Sequence, residues 1–170
     1  ALALPEKREA RHESDRLPIG DILRRREVKA LFIACFFMAA AHGALYVFYS
    51  LHLVSRGYGT TMVGMLWTLG VVAEIAVFLY LPRLLHFFSL RAILLFSFAC
   101  AVARFLMIGW GVDWLAVVLI AQLLHAATFG AYHAAAVAAV NRWFAGRHQA
   151  RGQALYGSVS FGAGGMVGGL

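Results

Sequence analysis

From Ala30 to Ser55 the chain runs for 26 residues without an aspartate, glutamate, lysine or arginine. About 20 predominantly apolar residues cross a ~30 Å hydrocarbon core as a helix, so this one stretch already directs the chain into a bilayer. Further apolar runs follow, and the boundaries of the five spans are set at about 29–54, 60–81, 90–109, 114–141 and 152–170. Each is roughly twice the ~10 residues of a barrel strand and lacks strict alternation, so the spans are helical. The fold class is therefore all-α integral membrane, with five transmembrane helices.

Composition agrees: 62% of the residues are apolar and 14% charged, against roughly 45–50% and 25% in a soluble domain. Fourteen of the 23 charged residues lie in the first 29 positions. Residues 1–20 are expected to form a cytoplasmic linker and 21–170 the transmembrane domain, with Asp21 as N-cap of a helix that continues through Arg24, Arg25 and Arg26 into the membrane. Pro82 and Arg83 are expected to open the loop after the second span. Thirteen lysines and arginines fall in the tail and the loops after the second and fourth spans, against Arg56 on the other side, which places the tail and those loops in the cytoplasm. The arginine cluster enforces topology at a lipid surface. The net charge of +7 is dispersed and makes no face for nucleic acid. Cys35 and Cys100 lie in apolar runs as small packing residues. With no initiator Met and an apolar run open at Leu170, the chain is expected to be part of a longer protein.

The informative residues are ionisable ones inside the spans, where a charge at mid-bilayer costs roughly 2.5–3.5 kcal/mol on the insertion scale. Counted at about 1.5 Å per residue from each span's centre, His42, Glu74, Arg104 and His125 share one depth near the midplane. They lie on faces with Tyr46, Trp67, Gln122 and Tyr132, and together with His133 these are candidates to line one cavity. Glu74 and Arg104 are expected to be electrostatically coupled across helices. The histidines lack the i, i+4 spacing of a metal cluster, and no nucleophile elbow, phosphate loop or dinucleotide fingerprint is present, so neither an enzyme nor a metal or other cofactor is indicated. Gly164-x-x-x-Gly168 and Gly165-x-x-x-Gly169 have the spacing that lets membrane helices approach closely. Two alternatives remain open at this stage: a redox protein holding haem between His42 and His125, and a non-transporting membrane module in which Glu74 and Arg104 fix helix register.

The order of features, with Pro82-Arg-Leu-Leu-His-Phe-Phe-Ser-Leu-Arg91 between the second and third spans, resembles the carboxy-terminal half of a major facilitator superfamily transporter. Of that family's G-x-x-x-D-R-x-G-R-R loop the chain keeps Arg91 and has His86 in place of the Asp. Glu74, Arg104 and His125 resemble the Glu, Arg and His on helices eight, nine and ten of the lactose permease branch of proton symporters, with Thr128 where that branch has a second Glu. Gln122-Leu-Leu-His-Ala-Ala-Thr-Phe-Gly-Ala-Tyr-His133 and Gly152-Gln-Ala-Leu-Tyr156 look most like the phenylpropionate permease group. The resemblance implies helices 7 to 11 of 12, in a bacterial inner-membrane secondary transporter that works with its own amino-terminal half. It implies a small organic solute, a sugar or an aromatic or organic acid, moved with protons by alternating access. Glu74 would be the solute or proton ligand, Arg104 its countercharge, and His125 and His42 polar partners near the coupling site.

Overall fold

A computed structural model describes residues 18–170, and among these every regular element is helical. A short helix α1 (Ile19–Arg24) precedes α2 (Arg26–Ser55), and the chain turns sharply at Arg25, whose ψ of 135° is extended. The continuous entry expected through the arginines is therefore broken there. Pro18 occupies the N-cap of α1, which places Asp21 in the first turn rather than at the cap; a carboxylate there still complements the positive end of the helix.

Helix α3 (Thr60–Phe87) passes through Pro82 rather than stopping at it. A proline removes one amide donor, but its φ near −65° is helical, so the last turn survives. The link to α4 (Leu90–Trp110) is thus only Phe88 and Ser89, and the Ser89 hydroxyl caps α4 by accepting from the Ala92 amide at 3.2 Å. Helix α5 (Leu115–Trp143) contains a π-helical segment, Ala126–Ala131. The last helix, α6, is built from Gln149–Gly157, a second π-helical segment Ser158–Gly164, and Gly165–Gly169. Helices α2 to α5 are each long and apolar enough to cross a membrane.

In lipid the packing of helices rests on close backbone approach rather than on escape from water. Helices α2 and α6 run side by side in the same direction. A side chain at Gly164 would strike the Phe36 carbonyl oxygen, and one at Gly168 would strike the Ala40 carbonyl oxygen. The first small-residue motif therefore sets this contact, whereas a Cβ at Gly165 meets nothing within 4 Å. Between α3 and α5 the same device operates at Gly70, which faces His125, and Gly130, which faces Glu74.

Two apolar clusters fill the ends of the bundle. One gathers Val28, Leu31, Cys35, Val140, Phe144 and Tyr156 at the basic end, and the other Leu45, Tyr49, Leu53, Leu66, Ile108 and Val118 at the opposite end. At that opposite end Arg56 pairs with Asp113 at 3.1 Å, and the Tyr58 hydroxyl donates to the Val112 carbonyl at 2.7 Å, so the two connections are tied together. Large apolar side chains such as Phe37, Leu51, Leu79 and Phe96 point outward, as on a lipid-facing surface. The buried polar residues His42, Arg104, Gln122, His125 and Thr128 lie between the two clusters.

Candidate functional site

Arg104 is the centre of that interior layer and is 0% exposed. Its Nε donates to the Ala121 carbonyl at 3.0 Å and its Nη2 to Gln122 Oε1 at 2.9 Å. Nη1 lies 3.3 Å from Thr128 Oγ1 and 3.4 Å from His42 Nε2, both of which accept from it. Gln122 in turn donates from Nε2 to the Leu66 carbonyl at 3.0 Å. One guanidinium thus gathers α2 and α5 around α4, and through Gln122 reaches α3. All its partners are formally neutral, and among the described residues no carboxylate lies within 4 Å of it.

Glu74 has another neighbour. Its Oε2 is 3.7 Å from His125 Nε2, so the expected pairing with Arg104 is replaced by a carboxylate–imidazole pair between α3 and α5. The reason is geometric: Gly70 and Gly130 bring α3 against the π-helical part of α5, while Arg104 is drawn to the carbonyl of Ala121 and the amide of Gln122 one turn earlier. Nδ1 of His125 has no hydrogen-bond partner among the described residues. The His42 and His125 rings are 6.2 Å apart between centroids, so the four ionisable residues do form one cluster. Both nitrogens of His42 are engaged, Nδ1 by the Met38 carbonyl at 2.9 Å and Nε2 by Arg104, which leaves none for a haem iron.

The remaining candidates surround this cluster. Tyr46 stacks on Trp67 with centroids 5.8 Å apart, and the Trp67 indole donates to Ser50 Oγ at 3.0 Å. His133 lies further along α5, stacked on Phe129 and 2.9 Å from the Tyr156 hydroxyl. A cavity of about 280 Å³ opens between α2, α5 and α6. His42, Tyr46, Thr128, Phe129 and Tyr132 line it, as do Ser160 and Phe161 of α6. Trp67, Gln122 and His133 do not reach its wall; Gln122 instead orients Arg104.

Both π-helical segments contribute to this wall, α5 through Thr128 and Phe129 and α6 through Ser160 and Phe161. Such wide turns are frequent at functional sites, where they re-aim side chains without ending the helix. Ser160 and Phe161 carry no sequence signal of their own, since a π-helical turn reads in sequence like any apolar helix.

Membrane-spanning helices that enclose a desolvated polar cluster beside a solute-sized cavity define a polytopic α-helical membrane protein. The chain belongs to the MFS_1 like family of the major facilitator superfamily, whose family model matches residues 3–170. It is similar to the probable 3-phenylpropionic acid transporter of Escherichia coli (strain K12), with 38% identity over 137 residues that cover 77% of this chain and 34% of that protein. The chain thus spans about a third of the length of that relative. No solved structure matches it.

Proposed function

We propose that the full-length protein is a secondary active transporter that moves a small organic acid across the cytoplasmic membrane by proton symport and alternating access, with its amino-terminal half supplying the other wall of the pathway. The observation that carries this reading is the buried, uncompensated charge of Arg104. A desolvated cation costs several kcal/mol unless an anion or a full set of acceptors offsets it, and here the acceptors are all neutral. Two of them, His42 and Thr128, are also cavity wall, so the positive potential lies one hydrogen bond behind the cavity. A carboxylate solute placed there completes the charge balance. The relative's name points to an aryl-substituted carboxylic acid as the solute class.

In the same reading Glu74 and His125 form the proton-handling pair, since a carboxylate near an imidazole in a partly dry site changes its proton affinity when water access or separation changes. Arg104 supplies the countercharge and His42 relays it to the cavity. The test is counterflow of radiolabelled 3-phenylpropionate in proteoliposomes holding the full-length protein. Saturable counterflow that is lost in Arg104→Gln supports the reading. Its absence for 3-phenylpropionate and other arylalkanoates in the unmodified protein refutes it.

A further inference from the structure

Two residues of the cavity wall carry buried hydroxyls that lack a well-formed hydrogen bond. Among the described residues Tyr132 Oη and Ser160 Oγ meet no hydrogen-bond partner, although their residues are only 4% and 1% exposed. The Cys35 thiol lies beside both and the Tyr156 hydroxyl beside Tyr132, but a thiol is a weak partner and the Tyr156 hydroxyl is already engaged by His133 Nδ1 at 2.9 Å. Buried hydroxyls are ordinarily paired, and an unpaired one destabilises the fold that holds it. Both residues line the 280 Å³ cavity, one from α5 and the other from the π-helical part of α6.

The other polar groups of the buried wall are already committed. His42 gives its Nδ1 proton to Met38 and accepts from Arg104 at Nε2. Thr128 donates to the His125 carbonyl at 3.3 Å and accepts from Arg104. Tyr46 stands at the rim, half exposed. The donors left over inside are therefore the hydroxyls of Tyr132 and Ser160, and near them the wall is apolar and aromatic: Met38, Phe129 and Phe161.

We infer that Tyr132 and Ser160 are the direct hydrogen-bond donors to the carboxylate of an arylalkanoate solute, whose ring packs against Phe129 and Phe161. The inference rests on the transport reading and deepens it by assigning the polar handle. Two neutral donors fix the direction of the carboxylate without burying a second cation, and Arg104, behind Thr128 and His42, supplies the compensating charge. A volume of 280 Å³ holds about nine waters at ~30 Å³ each, which suits a solute with one ring and a short acid chain.

The test uses the full-length protein in detergent and in proteoliposomes, with 3-phenylpropionate and its neutral alcohol, 3-phenylpropan-1-ol, as probes. Because a hydrogen bond to a charged group is stronger than one to a neutral group, Tyr132→Phe and Ser160→Ala should each weaken 3-phenylpropionate about tenfold or more as a competitor in counterflow, and the alcohol much less. The thermal midpoint of solute-free Tyr132→Phe should stay level or rise, because an unpaired buried hydroxyl has been removed, while the upward shift produced by 3-phenylpropionate shrinks. A purely structural hydroxyl predicts the reverse, a lower midpoint with the solute-induced shift intact, and that result overturns the assignment. So does an unchanged preference for acid over alcohol in the double variant. If the unmodified protein shows neither counterflow nor a solute-induced shift, the transport reading fails and the assignment with it; if it shows both and the variants match it, only the assignment fails.

Discussion

Nη1 of Arg104 donates to Nε2 of His42 across 3.4 Å, and because Nδ1 of the same ring donates to the Met38 carbonyl, His42 is held as the neutral Nδ1–H tautomer. A histidine on α2 is thereby made an acceptor for a cation on α4, at the wall of the cavity. The arrangement passes the influence of a fully enclosed guanidinium to a surface that a solute can touch.

Arg104→Gln strands the acceptors on His42, Thr128, Gln122 and Ala121 together. The lost charge-assisted hydrogen bonds are each worth about 1.5–3 kcal/mol, and relief of the buried charge offsets part of that, so the variant should show a net loss of stability smaller than the sum of its bonds. Arg104→Lys keeps the charge but lacks the planar fork, so it should recover only part of the loss. Thermal unfolding of the full-length protein in detergent reads both, and a double-mutant cycle with His42→Ala should give a coupling of at least about 0.5 kcal/mol. Additive effects would mean that the 3.4 Å contact carries no energy.

Gly168→Ala should separate α2 from α6. Its Cβ would run into the Ala40 carbonyl, where backbone cannot yield as a flexible side chain can. Overpacking of this kind costs about 1–3 kcal/mol, whereas Gly165→Ala, with open space around the added methyl, should stay within about 0.5 kcal/mol. Equal stabilities for the two variants would remove Gly164-x-x-x-Gly168 as the determinant of this contact.

Topology gives a separate check. Cysteines placed at Gly59 and Trp114, both exposed at the end opposite the basic one, should react with an impermeant thiol reagent added outside intact cells, and one at Ala150 should not. Cys35 and Cys100 are buried, which keeps the background low. Labelling at Ala150 from outside would invert the orientation derived from the lysines and arginines.

The long apolar helices α2 to α5 and the nearness of His42, Glu74, Arg104 and His125 to one another were legible in the sequence, because both follow from residue counts and from the high energy of charge in lipid. Which of the four pair was not. Pairing depends on how close α3 and α5 come, and that is set by Gly70 and Gly130, which are unremarkable in a glycine-rich chain until each is seen facing a side chain. The tight contact of Gly168 was legible because the small-residue spacing is itself the signal. Helix ends near Arg25 and Pro82 were misplaced: backbone dihedrals decide there, and neither a run of arginines nor a single proline near a helix end determines them. Ser160 was invisible because nothing in an apolar run announces a π-helical turn.

The last prediction concerns the pair at 3.7 Å, Glu74 and His125. Because this contact joins α3 to α5 directly while Glu74 has no contact with Arg104 within 4 Å, a cycle of Glu74→Gln with His125→Gln should show coupling of about 0.5 kcal/mol or more. The cycle of Glu74→Gln with Arg104→Gln should be near additive. In cells, 3-phenylpropionate added to a weakly buffered suspension should alkalinise the medium if protons enter with the solute. Glu74→Gln removes the titratable oxygen while keeping the shape, so it should abolish that pH signal and leave counterflow, which needs binding and rocking but no net proton movement. His125→Gln keeps a polar group next to Glu74 but changes what the carboxylate faces when it releases its proton, so the signal should fall without vanishing. Gradient-driven accumulation that survives Glu74→Gln would place the proton carrier outside the pair. Strong coupling of Glu74 to Arg104, with none to His125, would show that the carboxylate works against the guanidinium after all.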